Sequence, residues 1–149
     1  MYFFERDRKS GRERQMLNRR ESREAVFEMV YELDFNRECE AGLLLENAID
    51  VREIEANGYI KDTFLGVASN LVKIDELIKA KSEGWNLDRI SKVSMAAMRL
   101  CTYEIMCTDI PFNIAINEAL ELVKKYDDEK AKGFVNGILN AIAAELGKK

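Results

Sequence analysis

The sequence predicts an all-α fold, a single-domain antiparallel bundle of about seven helices. Apolar residues recur with the 3.6-residue period of an α-helix through almost every segment, and one proline interrupts the pattern. The connections between the periodic segments are short, which favours antiparallel neighbours. A chain of 149 residues that is 47% hydrophobic suits one domain with a substantial core. We therefore expect a mobile basic arm over residues 1–15 and a helical domain over residues 16–149.

The first half of the domain contains three predicted helices. The first runs from about Leu17 to Phe35, and the second from about Ala41 to Val51. The third is the clearest, because apolar residues at alternating spacings of four and three form one continuous seam from Ile60 to Ile78. Such a seam can serve a core or a homodimer interface equally well. Gly66 and Ser69, beside the seam, predict that a neighbouring helix approaches closely.

The second half contains four predicted helices. Asn86 is typical of an N-cap, and Pro111 ends one periodic segment and starts the next. The last helix carries the segment KGFVNGILNAI. The predicted bounds are about Asn86 to Ile90, Val93 to Cys107, Pro111 to Tyr126 and Lys132 to Leu146.

The composition argues against an enzyme. Histidine is absent, and the sequence has no glycine-rich phosphate loop, nucleophile elbow or paired-carboxylate motif. We interpret Glu104, Glu118 and Glu121 as solvated or ion-pairing side chains rather than acid catalysts. The three cysteines match no metal-ligand spacing, which predicts buried or semi-buried thiols rather than a zinc site or a disulfide framework. We therefore expect no catalytic residues, no metal and no cofactor.

The sequence also bears on where the protein works. No stretch approaches the roughly 18 consecutive apolar residues that a membrane-spanning helix needs. The first ten residues, MYFFERDRKS, lack the apolar core of a secretory signal. An odd number of cysteines fits a reducing compartment. We expect a cytoplasmic protein.

The net charge of −4 conceals two segments of opposite sign. Residues 6–23 carry a net charge of +5, and residues 28–55 carry −7. Within the basic segment, Arg19, Arg20 and Arg23 fall within about one helical turn, and arginine suits both phosphate contact and stacking on a base. A charge run can also be a solvated face only. The excess of positive charge in an acidic protein favours nucleic acid, and the acidic segment suits a basic protein partner.

Two glycines and two asparagines interrupt the apolar pattern of the last helix. Gly137 in a helix interior costs about 1 kcal/mol relative to alanine, which indicates close approach by another group. That group is either a neighbouring helix or a ligand strand. A ligand strand would meet the start of the helix, where free backbone N–H groups attract phosphate and Phe134 offers a ring to a base. Physical reasoning alone favours helix packing.

Several blocks of the sequence resemble the NusB family of bacterial transcription antitermination factors. These blocks are REAVFEMVY at residues 23–31, WNLDRI at 85–90, MRLCTYEI at 98–105, DIPFNIAINEA at 109–119 and FVNGIL at 134–139. The resemblance covers most of the chain from Arg19 onward. It implies an all-helical protein that binds the boxA element of nascent ribosomal-RNA transcripts.

The resemblance also implies partners and site residues. In the family, RNA is bound together with NusE, a ribosomal small-subunit protein, and the pair helps RNA polymerase to resist termination. Tyr31 matches a position that lies toward NusE. The positions that match family residues in contact with RNA are Arg19, Arg20, Arg23, Arg99, Phe134 and Asn136.

Two positions depart from the family pattern. Glu21 interrupts the arginine-rich stretch, so RNA affinity is expected to lean on Arg12 and Arg14 in the N-terminal extension. Ser94 stands where relatives often have an acidic residue facing NusE. Two alternatives stay open at this point: a helical RNA-binding module that works with a separate ribosomal-RNA methyltransferase, and a scaffold that binds proteins only.

Overall fold

The computed structural model describes residues 13–148 and confirms the all-α prediction. Seven α-helices and one short 3₁₀ helix, residues Leu87–Arg89, form the regular structure of this range. No helix within it is both long enough and apolar enough to cross a bilayer. The α-helices are α1 (Arg19–Asp34), α2 (Ala41–Arg52), α3 (Gly58–Ser69), α4 (Leu71–Lys81), α5 (Lys92–Cys107), α6 (Phe112–Tyr126) and α7 (Ala131–Glu145).

Helix α5 lies at the centre of the bundle. It packs against α1, α3, α4, α6 and α7. Its side chains are small or apolar around much of the helix circumference, and Ala96, Ala97 and Met98 are completely buried. A helix of this kind stabilises a fold only when neighbours cover it on several sides. Four polar residues of α5 are accordingly buried against other helices: Ser94, Arg99, Thr102 and Glu104.

The predicted helix from Ile60 to Ile78 is two helices, α3 and α4, that meet at Asn70. Asn70 has φ −107° and ψ 15°, outside the helical range, and its side-chain amide donates to the Gly66 carbonyl at 2.8 Å. Asparagine side chains compete in this way for backbone groups, which is why asparagine disfavours helix interiors. The prediction of one continuous helix is therefore wrong at this residue, although both flanking segments are helical as expected.

The apolar seam across α3 and α4 serves the core. Five of its six members are buried almost completely: Ile60, Phe64, Val67, Ile74 and Ile78. Beside the seam, the ring of Tyr103 from α5 occupies the space that a β-carbon at Gly66 would need. The close approach predicted at Gly66 is thus confirmed, and a tyrosine side chain makes it.

The chain is already ordered before α1 begins. The backbone N–H of Gln15 donates to the Glu53 carbonyl at 3.0 Å, and the Gln15 carbonyl accepts from the N–H of Glu55 at 2.9 Å. Arg14 pairs with Asp50 at 2.8 Å. Arg14 and Gln15 therefore belong to the folded domain. Residues 1–12 of the predicted arm, which include Arg12, lie outside the described residues.

The cysteines differ in environment. Cys101 is buried, whereas Cys39 and Cys107 are exposed, so the prediction of at least partial burial is wrong for those two. Burial, together with the nearby charge of Glu104, raises the pKa of the Cys101 thiol well above its ordinary value. Cys101 is consequently a small apolar core residue.

Candidate nucleic-acid interface

A capping box fixes the start of α1. The Asn18 side chain accepts from the backbone N–H of Glu21 at 2.8 Å, and the Glu21 carboxylate accepts from the backbone N–H of Asn18 at 3.0 Å. This reciprocal arrangement satisfies two backbone donors at the helix end. Glu21 interrupts the arginine-rich stretch because it caps the helix. The spacing Asn-x-x-Glu is visible in the sequence and signals this role.

Arg19, the first residue of α1, is exposed and lies against an aromatic ring. Its guanidinium carbon is 4.4 Å from the centroid of the Tyr59 ring, at the start of α3. That distance is well within the range of a cation–π interaction. Among the described residues, no carboxylate pairs with Arg19, so its charge is available to a ligand.

Arg20 is exposed but has an acidic neighbour. Its guanidinium makes two hydrogen bonds to Glu118 of α6, at 2.7 and 3.2 Å. The Arg20 side chain remains 74% exposed. The Glu118 side chain is only 12% exposed, so the pair is open to solvent on the Arg20 side, where a phosphate can approach the guanidinium.

Arg23 is buried, contrary to the expectation that all three arginines present free guanidinium groups. The residue is 6% exposed, and its guanidinium hydrogen-bonds to the carboxylate of Glu104, which is 1% exposed. The Tyr59 hydroxyl donates to the same carboxylate at 2.8 Å. Burial alone would lower the pKa of Arg23, but the bonds and charge of Glu104 outweigh it and raise the pKa. Arg23 thus has a structural role at the base of the interface.

Arg99 is buried as well, which corrects the expectation of a surface contact with RNA. Its guanidinium meets Asp34 at the end of α1 at 3.2 Å and Asp75 of α4 at 2.8 Å. Only 6% of its side chain is exposed. Two carboxylates already compensate its charge in the interior. Arg99 therefore ties three helices together.

Phe134 and Asn136 lie at the start of α7, as predicted. Phe134 is half-buried beneath the exposed Trp85, with the ring centroids 5.4 Å apart. Asn136 is exposed and accepts a hydrogen bond from Asn140 at 3.0 Å. A β-carbon at Gly137 would meet no described atom within 4 Å. The expectation that a neighbouring helix packs against Gly137 is therefore wrong, and this face of α7 is open.

The two groups of candidate RNA residues lie near different ends of α5. Arg23, one turn beyond Arg19, contacts Glu104 near the end of α5. Asp127, just before α7, accepts from Ser94 near the start of α5. Ten helical residues separate Ser94 from Glu104, or about 15 Å. An RNA that contacts both groups must therefore extend over several nucleotides.

Tyr31 borders a separate groove with an acidic rim. The groove has a volume of about 350 Å³ and lies among α1, the end of α2, the start of α5 and the end of α6. Tyr31 packs edge-on against Phe35 at 5.2 Å between centroids, and both rings are exposed. Besides Tyr31, the residues that line the groove are Phe27, Glu28, Glu32, Arg52, Val93 and Tyr126. Glu28 and Glu32 both pair with Arg52, at 3.2 and 3.3 Å, so the edge of the groove carries two carboxylates against one guanidinium. The remaining excess of negative charge suits a basic polypeptide.

Ser94 is fully buried, so it offers no contact to a partner. Its hydroxyl donates to Asp127 at 2.6 Å, and Ser91 donates to the same carboxylate. Burial would raise the pKa of Asp127, but these hydrogen bonds outweigh it and hold the pKa below its ordinary value. Ser94 therefore anchors the turn before α7.

Tyr59 belongs to this site although the sequence does not predict it. Glu104 was interpreted as a solvated or ion-pairing residue, and the second interpretation is correct. Tyr59 gives no sequence signal, because its partners Arg19, Arg23 and Glu104 lie about 36 to 45 residues away along the chain.

Comparisons with known proteins show which family the chain resembles. The NusB family model matches residues 20–144. The transcription antitermination protein NusB of Natranaerobius thermophilus is 39% identical over 137 residues, which cover 89% of this chain and 99% of the relative. T. maritima NusB has a similar structure, with a TM-score of 0.72, 35% identity and coverage of 88% of this chain and 94% of the other.

A solved complex is also similar. It contains the antitermination factors NusB and NusE with double-stranded RNA, and it matches with a TM-score of 0.73 and 29% identity over 85% of this chain and 96% of the other. The family match spans most of the described residues and includes all of the seven α-helices except Arg19, the first residue of α1, and Glu145, the last residue of α7. The chain belongs to the NusB family.

Proposed function

We propose that the protein is an RNA-binding transcription antitermination factor. It binds boxA of nascent ribosomal-RNA transcripts together with NusE and helps RNA polymerase to resist termination. The names of its relatives and the complex of NusB and NusE with RNA support this proposal. A factor that acts on nascent bacterial transcripts works in the cytoplasm, by binding and not by catalysis.

The exposed cationic start of α1 carries the RNA-binding part of the proposal. Arg19 and Arg20 are the exposed members of the arginine group. Phe134 and Asn136, at the start of α7, form a second contact region for the same RNA. We assign structural roles to Arg23 and Arg99, because their guanidinium groups are buried against carboxylates.

The groove beside Tyr31 is the proposed site for NusE. Its aromatic floor can bury an apolar side chain, while Glu28 and Glu32 attract the basic residues expected in a ribosomal protein. Two arginines neutralise few phosphates, so RNA binding by this chain alone should be modest and salt-sensitive. A partner that contributes its own RNA contacts would make binding tight and selective.

Fluorescence anisotropy with a labelled boxA RNA and a scrambled RNA tests the function. The wild-type chain should prefer boxA, and NusE should increase that preference by more than the separate affinities predict. Replacing Arg19 and Arg20 together with alanine should weaken boxA binding at least tenfold and flatten the salt dependence by about 1.4 in the log–log slope, about 0.7 for each lost phosphate contact.

Two exposed lysines of α4 provide the matched control. Replacing Lys73 and Lys79 with alanine removes the same amount of positive charge from α4. This helix lies near the end of α1 and not near its start, because Asp75 of α4 contacts Arg37, just beyond the last residue of α1. This variant should bind boxA nearly as well as the wild type. Equal losses in the two double variants would mean that only net charge matters and would contradict a defined site.

A scaffold that binds proteins only is the second candidate. The burial of Arg23 and Arg99 favours it, because two of the predicted RNA contacts are occupied inside the protein. The same titrations decide between the candidates. A chain that binds NusE but shows no preference for boxA, alone or in the complex, is a scaffold.

A further inference from the structure

The contact between Arg19 and Tyr59 is part of a layered arrangement that reaches into the core. The guanidinium carbons of Arg19 and Arg23 lie 4.4 and 5.5 Å from the centroid of the Tyr59 ring. Arg19 is exposed, whereas Arg23 is buried. The ring therefore connects an exposed cation to a buried one.

Tyr59 has little freedom to move. Its hydroxyl donates to Glu104 at 2.8 Å, and Glu104 is 1% exposed and accepts three hydrogen bonds from Arg23. Rotation of the Tyr59 ring would remove a hydrogen bond from a buried carboxylate, which is costly. The burial of the phenol and the charge of Glu104 raise its pKa well above the ordinary value, so the hydroxyl remains a donor.

The fixed ring in turn restrains Arg19. A free arginine side chain samples many rotamers, and a ligand that orders it must overcome that entropy. The cation–π contact holds the guanidinium over the ring before any ligand arrives. Arg19 is exposed, so its side chain stays accessible to a ligand. A guanidinium presented in this way offers a planar surface to an unpaired base.

The surroundings also suit the phosphates that flank such a base. Helices α1 and α3 both begin here, at Arg19 and Gly58, and Asn57 at the cap of α3 donates to Ser22 of α1 at 2.9 Å. Helix N-termini carry partial positive charge, which the Glu21 carboxylate offsets at α1, whereas the first turn of α3 contains no acidic residue. A β-carbon at Gly58 would meet no described atom within 4 Å, so a nucleic-acid backbone can approach this point closely.

We propose that Tyr59 is a positioning residue that holds Arg19 as a stacking platform for one unpaired base of single-stranded RNA. The inference rests on the proposed RNA-binding function and adds to it the mode of contact. In this arrangement the guanidinium of Arg19 stacks on the flat face of a base, in addition to contributing positive charge. Tyr59 acts through Arg19, and Glu104 fixes Tyr59.

Two substitutions separate the plane of Arg19 from its charge. The probe is a fluorescein-labelled single-stranded boxA RNA, titrated by anisotropy at several salt concentrations. Arg19→Lys keeps the charge but removes the plane, so affinity should fall at least threefold while the salt slope stays unchanged. Tyr59→Leu should produce a similar loss with an unchanged slope, and it should add little to Arg19→Lys in the double variant.

A matched control and a spectroscopic readout complete the experiment. The side chain of Arg37 is 47% exposed and lies just beyond the far end of α1, so Arg37→Lys, the same change at a distant arginine, should leave RNA affinity unchanged. With 2-aminopurine in place of successive adenines of the RNA, one position should be quenched by the wild type and not by Arg19→Lys. If Tyr59→Leu fails to fold, Arg19→Lys with the 2-aminopurine series gives the result.

The outcomes distinguish this inference from the proposed function. If the wild type does not prefer boxA, the proposed function itself is wrong. If the wild type binds boxA and Arg19→Ala weakens binding, but Arg19→Lys binds and quenches like the wild type, Arg19 contributes charge alone and the platform is refuted. Strictly additive losses in Arg19→Lys and Tyr59→Leu would also refute it, because Tyr59 would then act independently of Arg19.

Discussion

The guanidinium of Arg23 and the carboxylate of Glu104 form a buried ion pair between α1 and α5, with Nη2 and Oε2 3.0 Å apart. Only 8% of the Arg23 side chain and 1% of the Glu104 side chain are exposed. The residues are 81 positions apart in sequence. This pair joins the start of α1, where the proposed RNA contacts lie, to the central helix of the fold.

Neutralising one member of this pair should be strongly destabilising. Glu104→Gln keeps the shape of the side chain but leaves the buried Arg23 charge with only the longer contact to Glu118, at 3.6 Å. We expect the free energy of unfolding to fall by about 3–5 kcal/mol, measured by urea denaturation. Glu145→Gln, which breaks the exposed pair with Lys81, should cost less than about 1 kcal/mol.

Adding Arg23→Met to Glu104→Gln should recover much of the lost stability, because no unpaired charge then remains in the interior. If Glu104→Gln is as mild as Glu145→Gln, water reaches the pair and the assignment of Arg23 to the core is wrong.

Acid should destabilise the fold through Asp34. Its side chain, 5% exposed, lies 2.9 Å from Arg37, 3.1 Å from Lys92 and 3.2 Å from Arg99. Burial would raise the pKa of Asp34, but these cations outweigh it and hold the pKa below its ordinary value of 3.8. The unfolded chain therefore takes up the proton first as the pH falls, and stability present above about pH 4 is lost as the pH falls through the folded pKa.

Denaturation of Asp34→Asn across the same pH range tests this contribution. The variant should be less stable than the wild type at pH 7, and the difference should shrink between about pH 5 and about pH 3. Asp109→Asn replaces an exposed carboxylate in the loop before α6 and should follow the wild-type curve. A constant difference between Asp34→Asn and the wild type at all pH values would mean that packing, and not charge, causes the loss.

The helices could be predicted from sequence because each presents an apolar stripe with the helical period to one core. The starts and ends of α1, α2, α6 and α7 lie within about two residues of their predicted positions. The break at Asn70 was missed because the seam continues across it. Local hydrogen bonding by one amide overrides the periodic pattern there.

The site was predicted less completely, because charge alone does not reveal burial. Arg19, Arg20 and Arg23 look equivalent in sequence, yet only Arg23 faces Glu104 in the core. The partners of Arg99 are 24 and 65 positions away, and nothing in one sequence pairs them. By contrast, the three-residue spacing of Asn18 and Glu21 is typical of a capping box, and it explains why a glutamate interrupts the arginine-rich stretch.

Two glycines with the same helix propensity should respond in opposite ways to alanine. Gly66→Ala places a methyl group where the Tyr103 ring lies, so the free energy of unfolding should fall by about 1–3 kcal/mol. Gly137→Ala points into open space on α7 and should raise it by about 0.5–1 kcal/mol. Urea denaturation measures both changes.

The Gly137 variant also tests whether the open face of α7 meets RNA. If boxA lies against this face, Gly137→Ala should weaken RNA binding although the protein is more stable. Unchanged affinity would place the RNA away from Gly137.

For Gly66, combining Gly66→Ala with Tyr103→Ala should remove most of the destabilisation. If the loss of stability remains in the double variant, the Tyr103 ring is not its cause.

Arg99 should affect stability without affecting RNA contact. Its guanidinium holds Asp34 of α1 and Asp75 of α4, and its removal takes away their buried cation and leaves them only the more exposed Arg37 and Lys92. Arg99→Met should therefore lower the free energy of unfolding by about 3–5 kcal/mol. At a temperature where the variant remains folded by circular dichroism, its boxA affinity and salt slope should match the wild type. Arg20→Met should show the opposite behaviour, with unchanged stability and weaker, less salt-dependent binding. If the folded Arg99→Met protein binds boxA with a reduced salt slope, Arg99 contacts RNA and the purely structural role is wrong.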